Sequence, residues 1–128
     1  NRLARLEMEL NRRWKLSEST TLALRNRLEV RWWESRGDRT EFVSRHRLRL
    51  SRRANWFGSM ERYEVSNEVF LDYSGRGFNE NRLRPLDLFV RLNDRATTNV
   101  FFQIRSRRLG LDRNWDHAFM LGAGLRLR

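Results

Sequence analysis

A chain of 128 residues carrying 27 basic and 16 acidic side chains, for a net charge of +11, has the size of one domain. No cysteine is present, which excludes disulfides and cysteine-ligated metal, and no run of about 18 apolar residues exists to build a transmembrane helix. All but one of the basic residues, Lys15, are arginines, and the acidic residues are scattered among them, a pattern closer to an ion-pair lattice than to a basic tail.

In chain order, Leu6, Met8, Leu10, Trp14 and Leu16 alternate with Arg5, Glu7, Glu9, Asn11, Arg13 and Lys15. A period of two is a strand with one apolar and one charged face, whereas a helix would mix the two sets. A turn at 17–19 leads to Leu22, Leu24, Leu28, Val30 and Trp32, set against Arg25, Arg27, Glu29 and Arg31. After a polar loop at 35–39 come Phe42, Leu48 and Leu50, against Glu41, Arg45, Arg47 and Arg49, with Ser44 and His46 on the leucine parity. A turn at 53–55 enters a run that starts near Trp56 and continues through Val65, Val69, Leu71 and Tyr73, against Arg62, Glu64, Ser66, Glu68 and Asp72. The glycine-bearing loop 74–81 joins it to Leu86, Leu88, Val90 and Leu92. Another turn at 93–96 precedes Val100, Phe102 and Ile104. A loop at 109–114 precedes His117, Phe119, Leu121, Ala123, Leu125 and Leu127. The single proline, Pro85, would break a regular ladder, so a bulge at 84–85 is expected; it would also bring Leu83 and Leu86, of opposite parity, onto one face.

Seven strands of roughly 12–18 residues, longer than the usual 5–6, joined by short turns with no helix between them, predict an all-β, up-and-down antiparallel meander that closes as a barrel. A soluble barrel would turn the apolar face inward, and a membrane barrel would turn it outward. The strands exceed the roughly 9–11 residues a tilted strand needs to cross a bilayer. The aromatics Trp14, Trp32, Trp33, Trp56, Tyr73 and Trp115 gather near strand ends, where interfacial girdles sit. The charged face alternates in sign, as buried charges in a narrow lumen must. These features together predict a transmembrane β-barrel in contact with membrane lipid.

The segment Asn67-Glu68-Val69-Phe70-Leu71, a glycine-containing loop, and then Phe78-Asn79-Glu80-Asn81-Arg82-Leu83 resembles the signature of the DUF2490 family. The run 90–93 and the ending 116–125 are similar to the family's following turn and final strand. The resemblance covers the second half of the chain by motif and the first half by pattern. It implies a bacterial outer-membrane β-barrel of unknown function, in a Gram-negative bacterium, and no particular activity. The chain ends without the terminal aromatic usual in such barrels. Bacterial barrels have even strand numbers, so about eight strands are expected for the single domain 1–128. The eighth is expected upstream of Asn1 or in a segment not separated from these seven, and any export signal is expected to have been removed or not to be included in this sequence.

An eight-stranded lumen is just wide enough for its own side chains. Arg25, Arg27, Glu29, Arg31, Arg45, Arg47, Arg49, Arg62, Glu64, Glu68 and Asp72 are therefore expected to fill it as a structural charge network, with Glu7, Glu9, Glu41 and Asp87 as further acceptors. A structural, assembly or accessory role follows, with a narrow channel or an anionic-ligand-binding barrel as the alternative. Arg36, Arg39, Arg76, Arg108 and Arg113 are loop charges suited to lipid phosphates. No enzymatic role is expected. Lipid enzymes of this architecture hold a base and a nucleophile on the wall, and His46 and His117 have no Ser/Asp pair at suggestive spacing. Nor do they make a metal site, and no cofactor or small-molecule substrate is indicated. A subunit role in a larger membrane assembly is a third possibility. A rival reading is a soluble basic β-module binding nucleic acid through arginines and exposed aromatics. Only Trp33 and Phe70 stand out on the charged parity, so nucleic acid is not expected.

Overall fold

Alternation over this length leaves the chain one way to satisfy its backbone, which is pairing with the next strand. The computed structural model describes residues 2–34, 39–74, 77–108 and 114–128. They form β1 (Arg2–Lys15), β2 (Thr20–Glu34), β3 (Arg39–Arg53), β4 (Met60–Asp72), β5 (Gly77–Asn93), β6 (Ala96–Arg108) and β7 (Trp115–Leu127). All seven lie in one sheet in sequence order, every neighbouring pair antiparallel. This is an up-and-down meander, and no helix occurs among the described residues.

Three boundaries differ from the sequence reading. β4 begins at Met60 and not near Trp56, because the Met60 amide donates to the Phe57 carbonyl at 2.9 Å and closes a turn there. Trp56 lies in that turn, stacked on Tyr63 with ring centroids 4.8 Å apart. β5 begins at Gly77, so residues 77–81 belong to a strand rather than a loop. The turn at 93–96 tightens to two residues between Asn93 and Ala96, capped by the Asn93 side chain accepting from the Arg95 amide at 2.8 Å.

The expected bulge is present. Leu83 pairs with Ile104 and Leu86 with Phe102, so Arg84 and Pro85 together face Gln103. The ladder slips by one residue and Pro85 needs no partner for its missing N–H. Side chains at 80, 82 and 84 and then at 87 and 89 thereby share a face, as do Leu83 and Leu86 on the other. Three further register shifts, at Met60/Arg62, Phe70/Leu71 and Arg91/Asn93, interrupt the ladders on either side of β5.

The sheet curls toward its charged face. One hollow of about 350 Å³ is lined by Arg13 of β1, Arg49 of β3, Arg62 and Glu64 of β4, Phe89 of β5 and Arg126 of β7. The two edge strands thus reach a common interior without pairing; the sheet stays open between β1 and β7. The polarity is inverted relative to a water-soluble fold. Glu29 is 0% exposed on the concave side, while Leu121 is 80% exposed on the convex side. Leu6, Met8, Leu10, Phe119, Leu125 and Leu127 join Leu121 outside, and Glu64, Glu68, Glu80, Asp87 and Gln103 are buried within.

Candidate functional site

The concave face is an arginine–carboxylate lattice built from cross-strand neighbours. Glu29 accepts from Arg31 at 2.5 Å and lies 3.6 Å from Arg45 and 3.9 Å from Arg27. Arg27 also donates to Glu9 at 2.8 Å. Glu68 accepts from Arg45 at 2.6 Å, with Arg47 at 3.8 Å and Arg25 at 3.9 Å. Glu64 holds Arg62 at 3.4 Å and Arg49 at 4.0 Å. Ten of the eleven side chains expected in the network are therefore within it. Asp72 does something else: it accepts from the Ser74 backbone amide at 2.9 Å and caps the turn after β4.

The network also extends where sequence reading did not place it. Glu80, part of the family-like motif, takes Arg105 and Arg82. Arg84 donates to Gln103 at 2.8 Å and approaches Asp87 at 3.5 Å. Aromatic rings lie under the guanidinium planes. Arg45 and Arg82 flank the Phe70 ring at 4.7 and 4.6 Å, Arg62 covers Phe89 at 3.9 Å, and Arg84 covers Phe101 at 3.9 Å. Phe89 and Phe101 lie on the charged parity, but a single aromatic between leucines and valines carries no signal of its own. A lysine ammonium has no plane to lie flat on a ring and no fork to grip one carboxylate in two parallel bonds, so these positions suit arginine.

At the strand ends, Trp14 and Trp32 are partly exposed outward, and Trp56 and Tyr73 are largely exposed. Trp115 packs against Phe78 at 5.1 Å. Of the remaining motif residues, Asn67 is exposed on the convex side, and Asn79 falls in the bulge opposite Phe70 and Leu71. The Oδ1 atoms of Asn79 and Asn81 are buried with no hydrogen-bond partner, as is Arg47 Nε. Among the loop arginines, Arg39 pairs with Glu41 at 3.3 Å, and Arg108 ends β6 opposite Trp115. Arg36, Arg76 and Arg113 lie outside the described residues.

The convex face contains a break in its apolar surface. One continuous line of register partners crosses all seven strands: Leu10, Asn26, His46, Val69, Asn81, Ser106 and His117. Five of these seven are polar, on the face that carries most of the exposed leucine, valine and phenylalanine side chains. His117 Nδ1 lies 2.9 Å from Ser106 Oγ. His46 Nδ1 lies 2.7 Å from Asn26 Oδ1, and its Nε2 lies 3.1 Å from Ser44 Oγ. Ser44 Oγ in turn lies 3.0 Å from the Tyr73 hydroxyl. No serine–aspartate pair accompanies His46 at a suggestive spacing in the sequence. The signal that was present is Ser44 two residues before His46, which places both on one side of β3. Asn26 is invisible without the β2–β3 register. Among the described residues no three His, Cys, Asp or Glu side chains are grouped to hold a metal ion.

Comparison with protein-family models, curated proteins and solved structures returned no match.

Proposed function

We propose that this chain forms the wall of a small bacterial outer-membrane β-barrel whose interior is plugged by its own arginine–carboxylate lattice, in a structural or assembly role. The observation that carries the reading is the inversion of polarity. A buried carboxylate such as Glu29 sits opposite a face that leaves Leu6, Leu10, Leu121 and Leu127 uncovered. A sheet with that distribution needs an apolar surrounding, and a bilayer supplies one. Strands of 13 to 17 residues and aromatics at both ends add support. So does the resemblance of Asn67 and Phe78-Asn79-Glu80-Asn81-Arg82 to the DUF2490 family.

A closed barrel, in this reading, needs one more strand. β1 and β7 are both odd-numbered strands of one antiparallel meander and run the same way, so pairing them directly would make a parallel ladder. One intervening strand would be antiparallel to both and would bring the count to eight. That strand comes from elsewhere in the protein or from a partner subunit.

The test is extraction. The chain is expected to partition into detergent, to float with lipid vesicles and to migrate faster unheated than boiled. A soluble monomer whose affinity for nucleic acid falls steeply with salt would overturn the reading, and co-eluting proteins in mild detergent would point to an assembly subunit.

One observation favours a second reading, an anion-binding or narrowly conducting interior. A polar cavity of about 150 Å³ is lined by Arg25, Arg45, Arg47, Arg82 and Arg84 with Glu68 the single carboxylate, and Arg47 Nε there makes no hydrogen bond, its nearest carboxylate oxygen being Glu68 at 3.8 Å. Anion-selective conductance in planar bilayers, lost in Arg47→Ala, would support it.

A further inference from the structure

The polar patch on the convex face reads as a directed proton relay. Asn26 Oδ1 can only accept a hydrogen bond, so the proton between it and His46 resides on Nδ1. The Nε2 atom of that tautomer is a lone-pair acceptor, so the Ser44 hydroxyl donates to it. With its hydrogen so engaged, Ser44 Oγ accepts from the Tyr73 phenol. Nucleophile, base and a group orienting the base are thereby in hydrogen-bond sequence, the geometric test for an activated serine on any fold.

We propose that Ser44, His46 and Asn26 form an esterase centre, with Tyr73 as oxyanion donor, acting on the acyl esters of glycerolipids. Ser44 Oγ attacks the ester carbonyl carbon while its proton passes to His46 Nε2. The carbonyl π electrons move to oxygen, which the Tyr73 O–H receives. The carbon–oxygen bond to glycerol then breaks, and the Nε2 proton goes to the departing alkoxide. Water attacks the acyl-Ser44 ester with proton transfer to Nε2, and the proton returns to Oγ as the fatty acid leaves. The net reaction is ester plus water to lysolipid plus fatty acid, and it draws on no cofactor. Asn26 acts as a positioning residue.

The surroundings select the substrate. Ser44 pairs across the sheet with Leu28 and Leu71, and Phe42 precedes it on the same face of its own strand, an apolar track for an acyl chain. It lies four residues in from Thr40, the cross-strand partner of Trp32, within the apolar band of β3. Ser44 itself is 4% exposed, its Oγ 3.0 Å from the hydroxyl of Tyr73, whose side chain is 63% exposed in the turn after β4. A polar cluster on a face that meets hydrocarbon is costly to keep, which weighs against an idle one. Choosing lipid over a soluble ester rests on the membrane reading above.

The experiment uses the full chain refolded into phosphatidylethanolamine vesicles, with flotation and heat-modifiable migration read alongside activity. A fluorophosphonate probe is expected to label Ser44, mapped by mass spectrometry, and fatty acid to be released. Ser44→Ala should abolish both, and His46→Ala should cut the rate by about 10²–10⁴-fold. Asn26→Ala should lower kcat with KM unchanged, and Asn26→Asp should restore most of it. His117→Ala should match wild type. A floating, folded protein that neither labels nor hydrolyses, or a Ser44→Ala variant that keeps its rate, overturns the centre and leaves the barrel standing. Ser44-dependent cleavage of a short soluble ester by protein that does not float supports the centre and sinks the membrane reading.

Discussion

Arg45 donates to Glu68 on the adjacent strand through both Nε and Nη2, at 3.0 and 2.6 Å, while the same guanidinium lies on the ring of Phe70. A planar cation can do both at once and a lysine ammonium cannot. Arg45→Lys is therefore expected to lose the stack, about 0.5–1 kcal/mol, and one charge-assisted bond, about 1.5–3 kcal/mol. Urea unfolding in vesicles or detergent would read the sum, and a variant as stable as wild type would contradict the arrangement.

Glu29 has three arginines within 4.0 Å and no contact with solvent. Removing it leaves those cations facing one another across β2 and β3. Glu29→Ala should cost about 3–5 kcal/mol, the usual penalty for breaking a buried pair by deleting one partner. Glu29→Gln keeps the shape and should lie between that and wild type. Chemical denaturation followed by tryptophan fluorescence, with Trp32 and Trp33 on the same strand, separates the three.

Gly122 of β7 has the ring of Phe101 resting where a β-carbon would be, and Arg84 lies on the same ring. The ring has little room to retreat, so Gly122→Ala is expected to destabilise by about 1–3 kcal/mol through overpacking. Phe101→Leu should suppress most of that loss in a double-mutant cycle. Gly58, with open space around it, should accept alanine without effect.

The convex face offers a depth-dependent test. Leu121 lies mid-strand in β7 and Leu127 at its end, both well exposed. If lipid covers this face, Leu121→Arg costs about 2–4 kcal/mol and Leu127→Arg about 0–1 kcal/mol. If water covers it, neither change matters. Stability measured in vesicles distinguishes the two cases.

Much of this architecture is legible in the residue alternation. All seven strands can be read from it, and so can the bulge at Pro85, because a residue without an N–H has few places to sit in a ladder. The start of β4 is not, since Trp56 and Phe57 look like strand residues until the Met60–Phe57 hydrogen bond makes them a turn. The charge network can be read as a set but not pair by pair. Arg47 and Arg25 both lean on Glu68, an outcome decided by register and not by composition. The Ser44–His46–Asn26 arrangement escapes because its third member belongs to another strand and resembles any other polar residue on β2.

The four buried apolar side chains among the described residues, Val43, Met60, Phe70 and Ala96, are few for a chain of this size. At about 25 cal/mol per Å² of apolar area removed from water, the chain gains little by collapsing on itself. Leucines such as Leu6, Leu10, Leu121 and Leu127 stay largely exposed after folding, and its ion pairs are weakest where water can compete for them. On the membrane reading proposed above, the driving force comes from a medium outside the polypeptide. Acquiring the structure and leaving water are then one event, and a refolding reaction without lipid or detergent is expected to yield aggregate, not a slower version of the same fold.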